Sequence, residues 1–167
     1  MSVKPMHHAI VTVTDLDRSI AFYERAFGFR TTLRAPVVGV EGYLHLPPGA
    51  VGEMAMLALG ESIDQGMIEL LQWQVPGGVE RTGPKRPGDP GVFGLALEIE
   101  GETLEEIVER WRGQDIEPWT GITAVELEGY PEFQTLLVED PDGLLVELIQ
   151  LPTREQVREF RVAAAGA

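Results

Sequence analysis

Cysteine is absent from all 167 residues, so neither a disulfide nor a thiolate metal site can form, and nothing points to an oxidising compartment. Basic residues are scarce as well. Lys and Arg number 13 against 27 Asp and Glu, for a formal net charge of −14. That excess argues against nucleic acid or an anionic membrane as a partner. No apolar run approaches the roughly 20 residues that a spanning helix needs. Only Lys4 precedes the first apolar stretch, so no signal peptide is expected and a cytoplasmic protein is the default. What is present is an ordinary globular composition, 44% hydrophobic, in a length that suits one compact domain with a real core.

The most informative pattern is an echo. Met67-Ile68-Glu69-Leu70-Leu71-Gln72-Trp73 is repeated as Leu145-Val146-Glu147-Leu148-Ile149-Gln150-Leu151, with Gly66 and Gly143 just upstream. Helical stretches ending at Phe27-Gly28 and Arg112-Gly113 each follow a β-like run. A fold built twice from one unit usually works where its halves meet.

Each half reads as βαβββ. In the first, Met6 to Val13 alternates as a strand, and Thr14 or Asp15 caps a helix with apolar positions Leu16, Ile20, Tyr23 and Phe27. Gly28 stops that helix. Phe29 to Leu33, Met54 to Leu59 and Met67 to Trp73 supply three more strands. In the second, Val92 to Ile99 is a strand, and Thr103 with Glu106 forms a capping box. Leu104, Ile107, Val108 and Trp111 make the buried stripe of the helix that Gly113 ends. A weaker strand is expected near Ile116 to Ile122, then Phe133 to Val138. Asp140-Pro141-Asp142-Gly143 reads as a turn into the closing strand, Leu144 to Gln150. A terminal helix packs Val157 and Phe160 and exposes Arg154, Arg158 and Arg161.

The domain reading follows: modules at residues 1–75 and 91–151, a connector at 76–90, and a terminal helix and tail at 152–167. The connector holds four prolines and four glycines, and the segment Pro36 to Gly52 interrupts the first module. Six glutamates between Glu98 and Glu109 are explained by solvated strand and helix faces.

Side chains alternate faces along a strand, which sorts the polar residues. His8 lies on the face opposite Ala9, Val11 and Val13. Glu69 shares a face with Met67, Leu71 and Trp73, and Glu147 with Leu145 and Ile149. If the two units curve into one hollow, one imidazole and two carboxylates converge in it, a donor set for a divalent ion. Carboxylates on an apolar face without such compensation are costly.

These strings resemble the vicinal oxygen chelate superfamily, which includes glyoxalase I, methylmalonyl-CoA epimerase, extradiol dioxygenases and bleomycin- and fosfomycin-resistance proteins. The resemblance rests on His8 through Ser19, Phe22-Tyr23, Phe27-Gly28-Phe29, Ile68-Glu69-Leu70, Asp140-Pro141-Asp142-Gly143 and Val146-Glu147-Leu148. It implies an α+β fold of two tandem βαβββ modules forming an open, cup-shaped mixed β-sheet with helices outside. It also implies a divalent metal (Zn, Ni, Mn, Fe or Mg), with ligands on the first and last strands of each module. Carried over, these fall on His8, Glu69 and Glu147. The fourth position, usually a His, falls on Gly94, which has no side chain to coordinate. The metal is then held by three protein ligands, or has been lost. By parity His7 points to the wrong face, and His45 lies in the inserted segment.

Three functions follow from the resemblance. The first is a metal-dependent isomerase, epimerase or lyase of the glyoxalase type, acting on a small oxygen-chelating substrate through an enolate-type intermediate. Glu147 or Glu69 would move the proton. The second is a metal-free binding or resistance protein for a drug or metabolite, with Met54, Met56, Met67 and Trp73 near its wall. The third, a ring-cleaving dioxygenase, is disfavoured because its second histidine would fall on Gly94. Arg81, Lys85 and Arg86 in the connector read as a solvated loop or as a grip on an anionic substrate. A homodimer is expected by analogy with relatives.

Overall fold

A computed structural model of the chain describes residues 4–61, 63, 65–77 and 90–165. The chain divides into two compact units, Met1–Pro84 and Lys85–Ala167. Residues 78–89, and with them Arg81, Lys85 and Arg86, lie outside the described residues.

The first unit runs β1 (His8–Thr12), α1 (Leu16–Phe27), β2 (Arg30–Val38), α2 (Glu41–Leu44), β3 (Val51–Ala58) and β4 (Met67–Val75). Its sheet has the order β1-β4-β3-β2, with β1 parallel to β4 and the other pairs antiparallel. The second unit runs β5 (Gly94–Glu98), α3 (Leu104–Arg112), β6 (Thr123–Leu127), β7 (Tyr130–Glu139), β8 (Leu145–Gln150) and α4 (Arg154–Ala165). Its order, β5-β8-β7-β6, is the same arrangement. The architecture is α+β, two βαβββ modules in tandem.

Local chemistry accounts for the helix limits. Asp15 caps α1 by accepting the Arg18 N–H at 2.9 Å, and Gly28 ends it in the left-handed region at φ 76°. The buried face of α1 is Leu16, Ser19, Phe22, Tyr23 and Ala26, while the expected Ile20 and Phe27 are only half-buried. The Thr103–Glu106 capping box of α3 is fully formed, and Leu104, Ile107 and Trp111 are buried beneath it. Tyr23 and Trp111 have no exposed surface, so each contributes about 1.5–3 kcal/mol of burial.

The repeated glutamine has a structural role. Gln72 Oε1 accepts the Leu16 N–H at 3.1 Å and its Nε2 donates to the Thr14 carbonyl at 2.9 Å. Gln150 Oε1 accepts the Leu104 N–H at 3.2 Å in the same way. In both modules the closing strand thus ties down the start of the helix, using backbone groups that a helix cannot pair internally.

Several limits differ from expectation. Strand β2 continues to Val38 and β3 begins at Val51, so less of the inserted segment is loop; Pro36 is accommodated because β2 is an edge strand. The weak strand expected at Ile116 to Ile122 is reduced to a single bridge from Pro118 to Val138, and pairing resumes at Thr123. Proline has no N–H to continue the ladder there.

Candidate functional site: a histidine–glutamate pair on the face of the first sheet opposite its helix

Because Gln72 reaches α1, its neighbours Ile68 and Leu70 face the helix, together with Ala55 and Leu57 in register on β3. Those four are at most 3% exposed. Strand parity then puts Met67, Glu69, Leu71 and Trp73 on the opposite face. The register His8↔Met67 and Ile10↔Glu69 adds His8 and Ile10 to it, and Met56↔Glu69 and Met54↔Leu71 add the two methionines. The face assignment made from sequence holds.

On that face His8 Nε2 lies 3.1 Å from Glu69 Oε2, with side chains 26% and 16% exposed. The carboxylate is thus half-buried among Met54, Met56 and Leu71, with the imidazole as its polar partner. His7 was placed on the wrong face by parity, yet its Nδ1 lies 2.7 Å from His8 Nδ1. It precedes the first residue of β1, so strand alternation does not govern it. One Nδ1 donates and the other accepts, so the protonation of each ring is tied to that of its neighbour. His45 is exposed at the end of α2, in the left-handed region at φ 54°.

Glu147 belongs to the second unit. It stands in register with Ala96 on β5 and Leu137 on β7, opposite the face that Gln150 turns to α3. Its Oε1 accepts the Thr135 hydroxyl at 2.7 Å, and Thr135 also lies 3.1 Å from the Leu148 carbonyl. Thr135 is a partner that sequence inspection missed, because nothing in the local string ties it to Glu147.

The register also locates the missing ligand. Gly94 pairs with Leu145 as His8 pairs with Met67, so the two positions are structural equivalents. A Cβ on Gly94 would stand 2.6 Å from the Leu145 carbonyl oxygen. The strand backbone itself fills the space where a side chain would begin.

Does this chemistry suit a divalent ion? Two donors held about 2.1 Å from one ion lie roughly 3.0–3.4 Å apart, for angles between octahedral and tetrahedral. The 3.1 Å between His8 Nε2 and Glu69 Oε2 fits that separation. The pair therefore suits two adjacent ligands. Among the described residues no group of three or more His, Cys, Asp or Glu is gathered for a metal ion.

Residues 6–148 match the family model described as Glyoxalase/Bleomycin resistance protein/Dioxygenase superfamily. The chain belongs to this superfamily, whose members bind small molecules and usually employ a divalent metal. No functionally curated protein matches it. Among solved structures, a glyoxalase family protein from Bacillus cereus aligns with TM-score 0.74 at 21% identity, over 91% of this chain and 97% of its own. A glyoxalase/bleomycin resistance protein/dioxygenase domain from Frankia sp. aligns with TM-score 0.62 at 18% identity, covering 90% and 100%. The trypanothione-dependent glyoxalase I of Leishmania major aligns with TM-score 0.59 at 23% identity, covering 98% and 99%. At these identities the likeness is one of fold. Among the described residues no helix is long and apolar enough to cross a membrane.

Proposed function

We propose that this chain is a glyoxalase-type isomerase, epimerase or lyase for a small substrate with two neighbouring oxygens. The observation that carries the reading is the His8–Glu69 pair at 3.1 Å, half-buried on an otherwise apolar sheet face. In this reading His8 and Glu69 would hold a divalent ion, which would supply Lewis acidity toward the substrate oxygens.

The chain's own residues then have distinct tasks. His7 orients the His8 ring through Nδ1, leaving Nε2 as the working atom. Met54 and Met56 lie beside Glu69 in the sheet, and its side chain is only 16% exposed. Glu147 is held at Oε1 by Thr135, and its Oε2 takes the proton from the carbon next to the substrate carbonyl. Returning that proton to the neighbouring carbon gives an isomerase, and returning it to the opposite face gives an epimerase.

Metal analysis of protein purified without chelator tests the ligand set. The unsubstituted chain should carry close to one equivalent, and His8→Ala and Glu69→Gln should each lower occupancy at least tenfold. Solvent deuterium should enter 2-oxo thioester or hemithioacetal substrates in a manner that Glu147→Gln abolishes. Equal metal contents in all forms, with no exchange, refute the proposal.

A second reading, a metal-free binding protein, is favoured by one observation: the Leu145 carbonyl excludes any side chain at position 94. Saturable ligand binding that chelator leaves unchanged, with no turnover, would decide for it.

A further inference from the structure

A separate concavity of about 690 Å³ lies wholly within the second unit, where α4 packs beside β7. Arg154, Arg158 and Arg161 line it together with Glu98, Tyr130 and Val157. The arginines stand at spacings of four and three, so one stripe of the helix presents all of them. The stripe is about 10 Å long, at about 1.5 Å per residue. Three arginines against one glutamate leave an excess of two positive charges, in a chain whose net charge is −14.

These cations are unlike the other described arginines. Arg18 donates to Thr14, Arg25 to the Ala21 carbonyl and Arg30 to the Gly60 carbonyl. Arg34 bridges Asp17 and Glu53, Arg110 pairs with Glu102, and Arg112 with Glu109. Arg154 and Arg161, by contrast, have no hydrogen bond or ion pair among the described residues. Arg158 reaches only Glu155, at 4.0 Å, with both side chains more than 70% exposed. An exposed pair at that distance contributes little and yields readily to a stronger partner.

We propose that this groove is an anion site for a small molecule of the diphosphate class. Guanidinium forks match phosphate oxygens in pairs, and a 10 Å row of three suits adjacent anionic groups better than a single one. The volume lies within the range of small-molecule sites. Tyr130 and Glu98 line the same groove, and the Glu98 carboxylate disfavours ligands that carry further negative charge beside it.

Calorimetric titration of the intact chain with inorganic pyrophosphate, with orthophosphate in parallel, tests this. Pyrophosphate should bind at one site at least tenfold more tightly than orthophosphate, and weaken as salt is raised. R154A/R158A/R161A should lower its affinity at least tenfold, while R112A, elsewhere on the surface, should not change it. Independently of any variant, amide shifts induced by pyrophosphate in the unsubstituted chain should cluster at Glu98, Tyr130 and residues 151–162. Absent saturable binding, affinity retained by the triple variant, or shifts centred elsewhere would each overturn the proposal.

Discussion

Replacing Gly94 by alanine separates two opposed effects. Gly94 has no positive φ, so its backbone is open to any L residue. On conformational entropy alone, Gly94→Ala should stabilise the protein by about 0.4–1 kcal/mol. Contact decides otherwise. The added Cβ would sit 2.6 Å from the Leu145 carbonyl oxygen, an atom of the β8 backbone that cannot rotate away. Relief requires β5 to move off β8 at its first pair, Gly94↔Leu145. Overpacking of this kind costs about 1–3 kcal/mol, and a weakened ladder bond adds about 0.5–1.5 kcal/mol. The net expectation is a loss of about 2–3 kcal/mol. Gly42→Ala is the control: it lies in α2 with nothing within 4 Å of an added Cβ, and should gain about 0.5–1 kcal/mol. Urea unfolding of the three proteins, with m-values compared, reads both signs. A Gly94→Ala protein as stable as the parent would refute the close approach. It would also reopen the idea that a histidine placed there could serve as a fourth ligand.

Three further outcomes follow from hydrogen bonds. Gln72→Ala removes the acceptor of the Leu16 N–H and the donor to the Thr14 carbonyl, and should cost about 1–2 kcal/mol with faster amide exchange at the start of α1. Asp140→Ala strips a 4%-exposed carboxylate that accepts the Asp142 and Leu144 N–H groups; thermal unfolding should show a loss of about 2–4 kcal/mol. Thr135→Val leaves Glu147 Oε1 without its hydroxyl partner, and on the proposed function should slow deuterium exchange at least fivefold while metal content is retained. An exchange rate unchanged by that substitution would remove Thr135 from the site.

Periodicity sufficed for the α+β fold because each strand has a helix-facing side and each helix a local stop signal. Asp15, Gly28 and the Thr103–Glu106 box each bond groups only a few residues away, so each effect is written in nearby letters. The exposed reading of Arg154, Arg158 and Arg161 also follows from helical spacing. The strand near Ile116 failed because Pro118 limits pairing to one bridge, and which partner a short segment finds depends on distant residues.

By itself the sequence determined the two modules, the faces of their strands and the candidacy of His8, Glu69 and Glu147 as polar residues on apolar faces, since alternation along a strand is a local rule; that His8 and Glu69 form a pair came from the structure. Only tertiary structure decided the rest. The 3.1 Å between those side chains depends on the parallel register of β1 with β4, two segments separated by more than fifty residues. The Thr135 hydroxyl on Glu147 and the carbonyl that closes position 94 arise likewise from how strands approach and pair, distances that no string of letters contains.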